Sequence, residues 1–122
     1  MNNVFFYAAR DSDAYRLVEK YLIQLSFNGQ LIILPPGSQF TSSLCLQLRS
    51  NDFIILFAEK EEDIVHLIDL RDEFECFRII LIMNTANELK NNKFVLLSPR
   101  LIAYFDSNID EVSKYLKSVF KK

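Results

Sequence analysis

Two hydrophobic rhythms alternate from one end of this chain to the other. Val4–Ala9, Leu31–Leu34, Phe53–Ala58, Ile79–Met83 and Leu101–Phe105 are short, continuous apolar runs. Runs of this kind mark strands covered on both faces, because a strand with one wet face would alternate with polar residues. Between them the period lengthens to three and four. Ala14, Leu17, Val18, Tyr21, Leu22 and Leu25 form one helical face, introduced by the capping residues Asp11-Ser12-Asp13 and closed by Asn28-Gly29. Ile64, Leu67, Leu70, Phe74 and Phe77 form a second stripe within 60–77, from which Glu62, Asp63, Asp69 and Glu73 fall away. Ile109, Val112, Tyr115, Leu116, Val119 and Phe120 form the last, with Ser107 and Asp110 spaced as a capping box. A weaker helix is predicted over 38–49, where Thr41-Ser42-Ser43 lowers the propensity. The stretch 84–99 is the least regular, and its Phe94–Leu97 is predicted as a docked loop, a short strand or part of a distorted helix.

The order βαβαβαβ(α)βα predicts an α/β fold in one domain over 1–122. Right-handed crossovers put helices on both sides of a parallel sheet, giving three layers. The expected arrangement is a doubly wound, flavodoxin-like, five-stranded sheet in the order 2-1-3-4-5, with the fourth helix short or irregular. Such sheets bind ligands outside the carboxyl ends of their strands. That rule directs attention to Arg10–Asp13, Glu59–Glu61, Asn84-Thr85 and Asp106–Asn108.

Composition narrows the chemistry. The 122 residues are 50% hydrophobic and 25% charged, with a net charge of −2, as in an ordinary globular domain. Nucleic acid is not an expected partner: the one basic cluster, Lys114, Lys117, Lys121 and Lys122, closes a helix whose dipole favours it. Apolar runs of five or six residues are too short to span a bilayer, so no membrane is expected as a partner. The start Met1-Asn2-Asn3 carries no basic region of the signal-peptide kind, and a cytoplasmic location is expected.

No cofactor is called for. With Gly29 and Gly37 the only glycines, neither a dinucleotide fingerprint nor a P-loop can be written. Arg10-Asp11-Ser12-Asp13 is a poor version of the Ser/Thr-rich turn a flavin phosphate would need. Cys45 and Cys76 read as buried thiols outside any zinc pattern. His66, the only histidine, shares a helix face with Glu62, Asp69 and Glu73, and reads as one of a solvated set rather than a metal site. No nucleophile–base signature surrounds any residue, so no catalytic residue is assigned.

Element order and several local pairs resemble the receiver domains of two-component response regulators. Arg10-Asp11, followed by Arg16-Leu17-Val18 and Tyr21-Leu22, is similar to the receiver's acidic pair and first helix. Thr85-Ala86 after Ile80–Met83 is similar to the hydroxyl-small pair after its fourth strand. Tyr104 stands where receivers place a coupling aromatic, and Asp110-Glu111-Val112 leads into a receiver-like last helix.

The resemblance implies a phosphoryl-accepting aspartate ending strand 3, a divalent metal and a strand-5 lysine. Phe57, or Ala58/Glu59 if the strand runs longer, stands at the first position, and Asp106 or Ser107 at the lysine. Arg10 replaces one of the acidic pair, and a guanidinium supplies no oxygen to a metal. The degenerate pocket is therefore expected at Arg10, Asp11, Glu59, Thr85, Tyr104 and Asp106, with no metal.

The function this implies is a non-enzymatic signalling or adaptor domain. Its partner would be a protein, a second copy of this chain included, met through 86–107 and the adjoining last helix with Phe94 and Leu97 at the contact; the alternative is that Phe94–Leu97 closes the core where the fourth helix is short. The alternative class is a nucleotide- or flavin-binding protein or enzyme with its site at the strand ends. A further likeness, of Phe6-Tyr7 and Arg10-Asp11-Ser12-Asp13 to the start of a TIR domain, is opposed by the short chain and by the lack of a convincing catalytic glutamate.

Overall fold

The structure is a computed structural model that describes residues 3–25, 27, 29–37, 53–74, 77–83 and 93–120, residues 93 and 94 by their backbone alone. The strands are β1 (Asn3–Ala8), β2 (Gln30–Ile33), β3 (Phe53–Ala58), β4 (Arg78–Met83) and β5 (Leu101–Tyr104). The helices are α1 (Asp13–Ile23), α2 (Glu61–Asp69) and α3 (Asp110–Val119), with 3-10 turns at Arg71–Phe74 and Lys93–Leu97. The strands form one sheet in the order β2-β1-β3-β4-β5, every neighbouring pair parallel. The doubly wound, flavodoxin-like arrangement expected from the alternating rhythms is the one observed.

Pleating sorts the apolar runs onto two faces. Val4, Phe6, Ala8, Phe53, Ile55, Phe57, Ile80, Ile82 and Ala103 meet α1 and α3. Phe5, Tyr7, Ile54, Leu56, Ala58, Ile79, Leu81 and Met83 meet α2 and the two 3-10 turns. Every residue of β3 is buried, as befits the middle strand of a covered sheet.

Four local expectations are corrected. In α1, Leu17 is 65% exposed, and the buried set is Ala14, Tyr15, Val18 and Leu22. Tyr15 takes the inward place because its ring stacks on Phe6 at 5.5 Å and 6°. The same helix stops at Ile23, before Asn28-Gly29, and the described glycine with positive φ is Gly37. Asp63, expected to face solvent, is buried.

The predicted Ser107/Asp110 box does not form, since Ile109 is the N-cap and no side chain caps the helix. Instead Asn108 Oδ1 accepts the Tyr104 N–H at 2.7 Å and closes the turn from β5. The cap at Ser12 does form, its hydroxyl accepting the Tyr15 N–H at 3.1 Å. The helix predicted over 38–49, together with Cys45, Cys76 and Thr85, lies outside the described residues.

Gly37 shows why the second strand must leave through a glycine. Its N–H bonds to Ala8 O at 2.9 Å, its φ is +70°, and a Cβ there would lie 2.9 Å from Ala9 O. The left-handed backbone and the close approach both require hydrogen in place of a side chain. The contact also pins the end of β1 where the candidate site begins.

Candidate functional site at the carboxyl strand ends

Arg10 leaves β1 two residues beyond Ala8, and Asp63 lies in the first turn of α2, which follows the neighbouring strand β3. Arg10 Nε lies 3.2 Å from Asp63 Oδ1, and Nη2 donates to Oδ2 at 3.4 Å. Asp63 Oδ2 also accepts the backbone N–H groups of Glu59 at 3.0 Å and Lys60 at 3.1 Å. The first N–H groups of a helix have no partner within it, so a carboxylate turned back toward them is favoured by hydrogen bonding and by the dipole. Asp63 can be buried because both its charge and its lone pairs are met. The result is a bridge between the ends of β1 and β3, where the sheet reverses its winding.

The other positions read from the sequence divide around this bridge. Asp11 turns to α1: Arg16 Nε lies 3.2 Å from Asp11 Oδ1, and Arg16 Nη1 lies 3.2 Å from Asp13 Oδ1. These groups are exposed, and such pairs contribute ~0–1 kcal/mol. Glu59 supplies a backbone N–H to Asp63, and Tyr104 supplies one to Asn108. Asp106 is exposed in the turn after β5.

Phe57 is buried on the α1/α3 face, its ring edge-on to Phe105 at 5.6 Å, and Ala58 is buried on the opposite face. The end of β3 thus places phenyl and methyl groups where the resemblance called for a carboxylate.

These residues do not fit a divalent metal. Asp63 is committed to a guanidinium and two amides, and Asp11 to a second guanidinium. A doubly charged ion ~4 Å from Arg10 would be repelled by ~8 kcal/mol at an effective dielectric of ~20. No phosphoryl-transfer step is derived for this site.

Beside the bridge, His66 Nε2 lies 3.2 Å from the Tyr7 hydroxyl, with ring centroids 6.4 Å apart. Burial of Tyr7 raises its hydroxyl pKa above the ordinary value. The histidine is therefore bonded to a β1 side chain, which its place in an acidic helical face gave no reason to expect. Among the described residues, no group of three His, Cys, Asp or Glu side chains is placed to hold a metal ion.

The proposed contact residues also separate. Phe94's side chain lies outside the described atoms. Leu97 is buried in the α2-side core, which follows the core alternative at this residue and corrects its place on an interaction surface, while Val95 and Leu96 are 58% and 55% exposed. The 3-10 winding of Lys93–Leu97 causes this, directing only part of an apolar run inward.

Sequence reasoning missed Asp63, and it placed Asn108 among the strand-end positions without giving it a role. Asp63 had a legible signal, since a carboxylate three residues after Lys60 at a helix start is well placed to turn back on that residue's N–H. No family model, curated protein or solved structure matches this chain. Among the described residues, no helix is long and apolar enough to cross a membrane.

Proposed function

We propose that this chain is a degenerate receiver-like domain, a non-enzymatic cytoplasmic signalling or adaptor module that works by contact with another protein. The observation that carries this reading is the Arg10–Asp63 bridge. It sets a permanent, covalently tethered cation where a phosphorylatable receiver would exchange a metal, so the strand ends are held in one arrangement. With that pocket closed on itself, recognition falls to the surface. Val95 and Leu96 supply an exposed apolar pair beside the buried Leu97, in the region from which the resemblance expects a partner to be met.

The test is incubation with acetyl phosphate and Mg²⁺ followed by intact-mass measurement. The expected mass is unchanged. A phosphoryl adduct on Asp11, Glu59 or Asp63 would remove the basis of the proposal. For the surface, Val95→Ser with Leu96→Ser should leave the fold intact and abolish association with the native partner or a second copy. Undiminished association of the folded double variant would place the contact elsewhere.

A further inference from the structure

At the opposite end of the sheet, where β4 and β5 begin, a cavity of about 360 Å³ opens between the two 3-10 turns. Its inner wall is apolar, formed by Phe74, Phe77, Ile79 and Leu97, all buried. Its border is basic. Arg71 and Arg100 border it against a single lining carboxylate, Asp72, while Arg78 lines it with its guanidinium turned to the other face of the sheet. A chain of net charge −2 thus gathers a local excess of positive charge over an apolar hollow.

The arginines differ in how they are held. Arg78 sets its guanidinium 3.9 Å from the centroid of the Phe53 ring, and Phe53 belongs to the α1/α3 face. Arg71 and Arg100 are exposed and, among the described residues, neither side chain joins an ion pair or hydrogen bond. They come from separate elements, the turn after α2 and the entry to β5, and border one hollow.

The backbone that presents Arg100 is itself constrained. Ser98 has φ +49°, the one non-glycine residue with positive φ among those described. Its N–H bonds to Val95 O at 3.0 Å, and the Arg100 N–H bonds to Ile79 O at 2.7 Å. A strained residue fixed on both sides holds its neighbours in a defined position, and such residues gather at ligand clamps.

We propose that this cavity binds a small organic anion, a carboxylate or phosphate monoester with a flat apolar body. Arg71 and Arg100 hold the charged group, and the body lies against the Phe77–Leu97 wall. The planar guanidinium fork matches both anions and is more weakly hydrated than an ammonium, so it pairs readily beside apolar surface. The volume lies within the ~300–1,000 Å³ range of small-molecule sites. The site lies at the other end of the sheet from the Arg10–Asp63 bridge and shares only Leu96 with the proposed contact surface, which the arginine variant below leaves unchanged, so either proposal can fail without the other.

Amide NMR titrations at physiological salt with phenyl phosphate, benzoate, inorganic phosphate and phenol test it. Saturable shifts at Ile79, Ser98 and Arg100 are expected with phenyl phosphate or benzoate at millimolar concentration or below, and the better of these two distinguishes the phosphate from the carboxylate source. Inorganic phosphate and phenol should each bind about tenfold more weakly, because each lacks half of the recognised chemistry. Arg71→Gln with Arg100→Gln should weaken binding by about tenfold or more while the remaining amide spectrum is kept. Absence of saturable shifts, equal binding of phenol, or unchanged binding in the folded double variant would each overturn the assignment.

Discussion

Arg10 and Asp63 are 53 positions apart in sequence and meet at 3.2 Å across the ends of β1 and β3. The guanidinium is 39% exposed and the carboxylate 8%, so the two partners have unequal stakes in the pair. Asp63 also carries the Glu59 and Lys60 N–H groups, whereas Arg10 keeps access to water.

Asp63→Ala should therefore destabilise the fold by ~2–3 kcal/mol, since it orphans two backbone donors as well as the arginine. Arg10→Ala should lower stability by only ~1 kcal/mol, because the carboxylate keeps its amide partners and the exposed cation is screened. Urea unfolding of the two single variants and the double variant checks this, with a coupling of ~0.5–1 kcal/mol expected from the cycle. Equal losses for the two single variants would contradict the unequal burial.

Gly37→Ala should lower stability by ~2 kcal/mol or more. The substitution combines a left-handed backbone, which disfavours alanine by ~1–2 kcal/mol, with a Cβ 2.9 Å from Ala9 O. Gly37→Asn separates the causes: asparagine tolerates positive φ but meets the same oxygen, so it should remain well below wild type in thermal unfolding. Full recovery by asparagine would leave the backbone angle as the sole cause.

The inward turn of Tyr15 and the outward turn of Leu17 make a pair of opposite expectations. Leu22→Ala, in the buried face of α1, should lose ~2–4 kcal/mol through the cavity it leaves. Leu17→Lys should stay within ~0.5 kcal/mol of wild type, because that side chain already lies in water. A large loss at Leu17, measured by denaturant unfolding, would mean that α1 is rotated.

Alkaline pH should weaken the fold through its buried phenols. The Tyr15 hydroxyl is pushed up to about 12, first by burial and then by Glu19, whose carboxylate accepts its hydrogen bond at 3.1 Å. Burial raises Tyr7 and Tyr21 as well, with Asp110 adding to the effect on Tyr21. A folded pKa above the unfolded value near 10 stabilises the protein fully below pH 10, and that contribution is lost as pH rises through about 12. Wild type should lose stability steadily from pH 10 to 12 in urea unfolding. Tyr15→Phe should show a shallower decline, and an identical slope would mean that Tyr15 contributes nothing to it.

The sequence by itself determined the layers. A run such as Phe53–Ala58 can be satisfied only by cover on both faces, and Ile64, Leu67 and Phe74 repeat as one buried stripe, so five central strands with helices on either side follow from local spacing. Caps depend on a few adjacent residues, and Ser12 was legible for that reason. The tertiary structure decided the rotation of α1, where stacking of Tyr15 on Phe6 moved Leu17 outward, because a helical period fixes a stripe's width but leaves its exact bearing to the surface it meets. It also decided the site. Arg10 read alone was a departure from an acidic pair, and Asp63 read alone was one more acid on a polar face. Only parallel pairing of β1 with β3 brings the end of one strand beside the helix that follows the other, and only there does burial make the Asp63 carboxylate require the partners it finds.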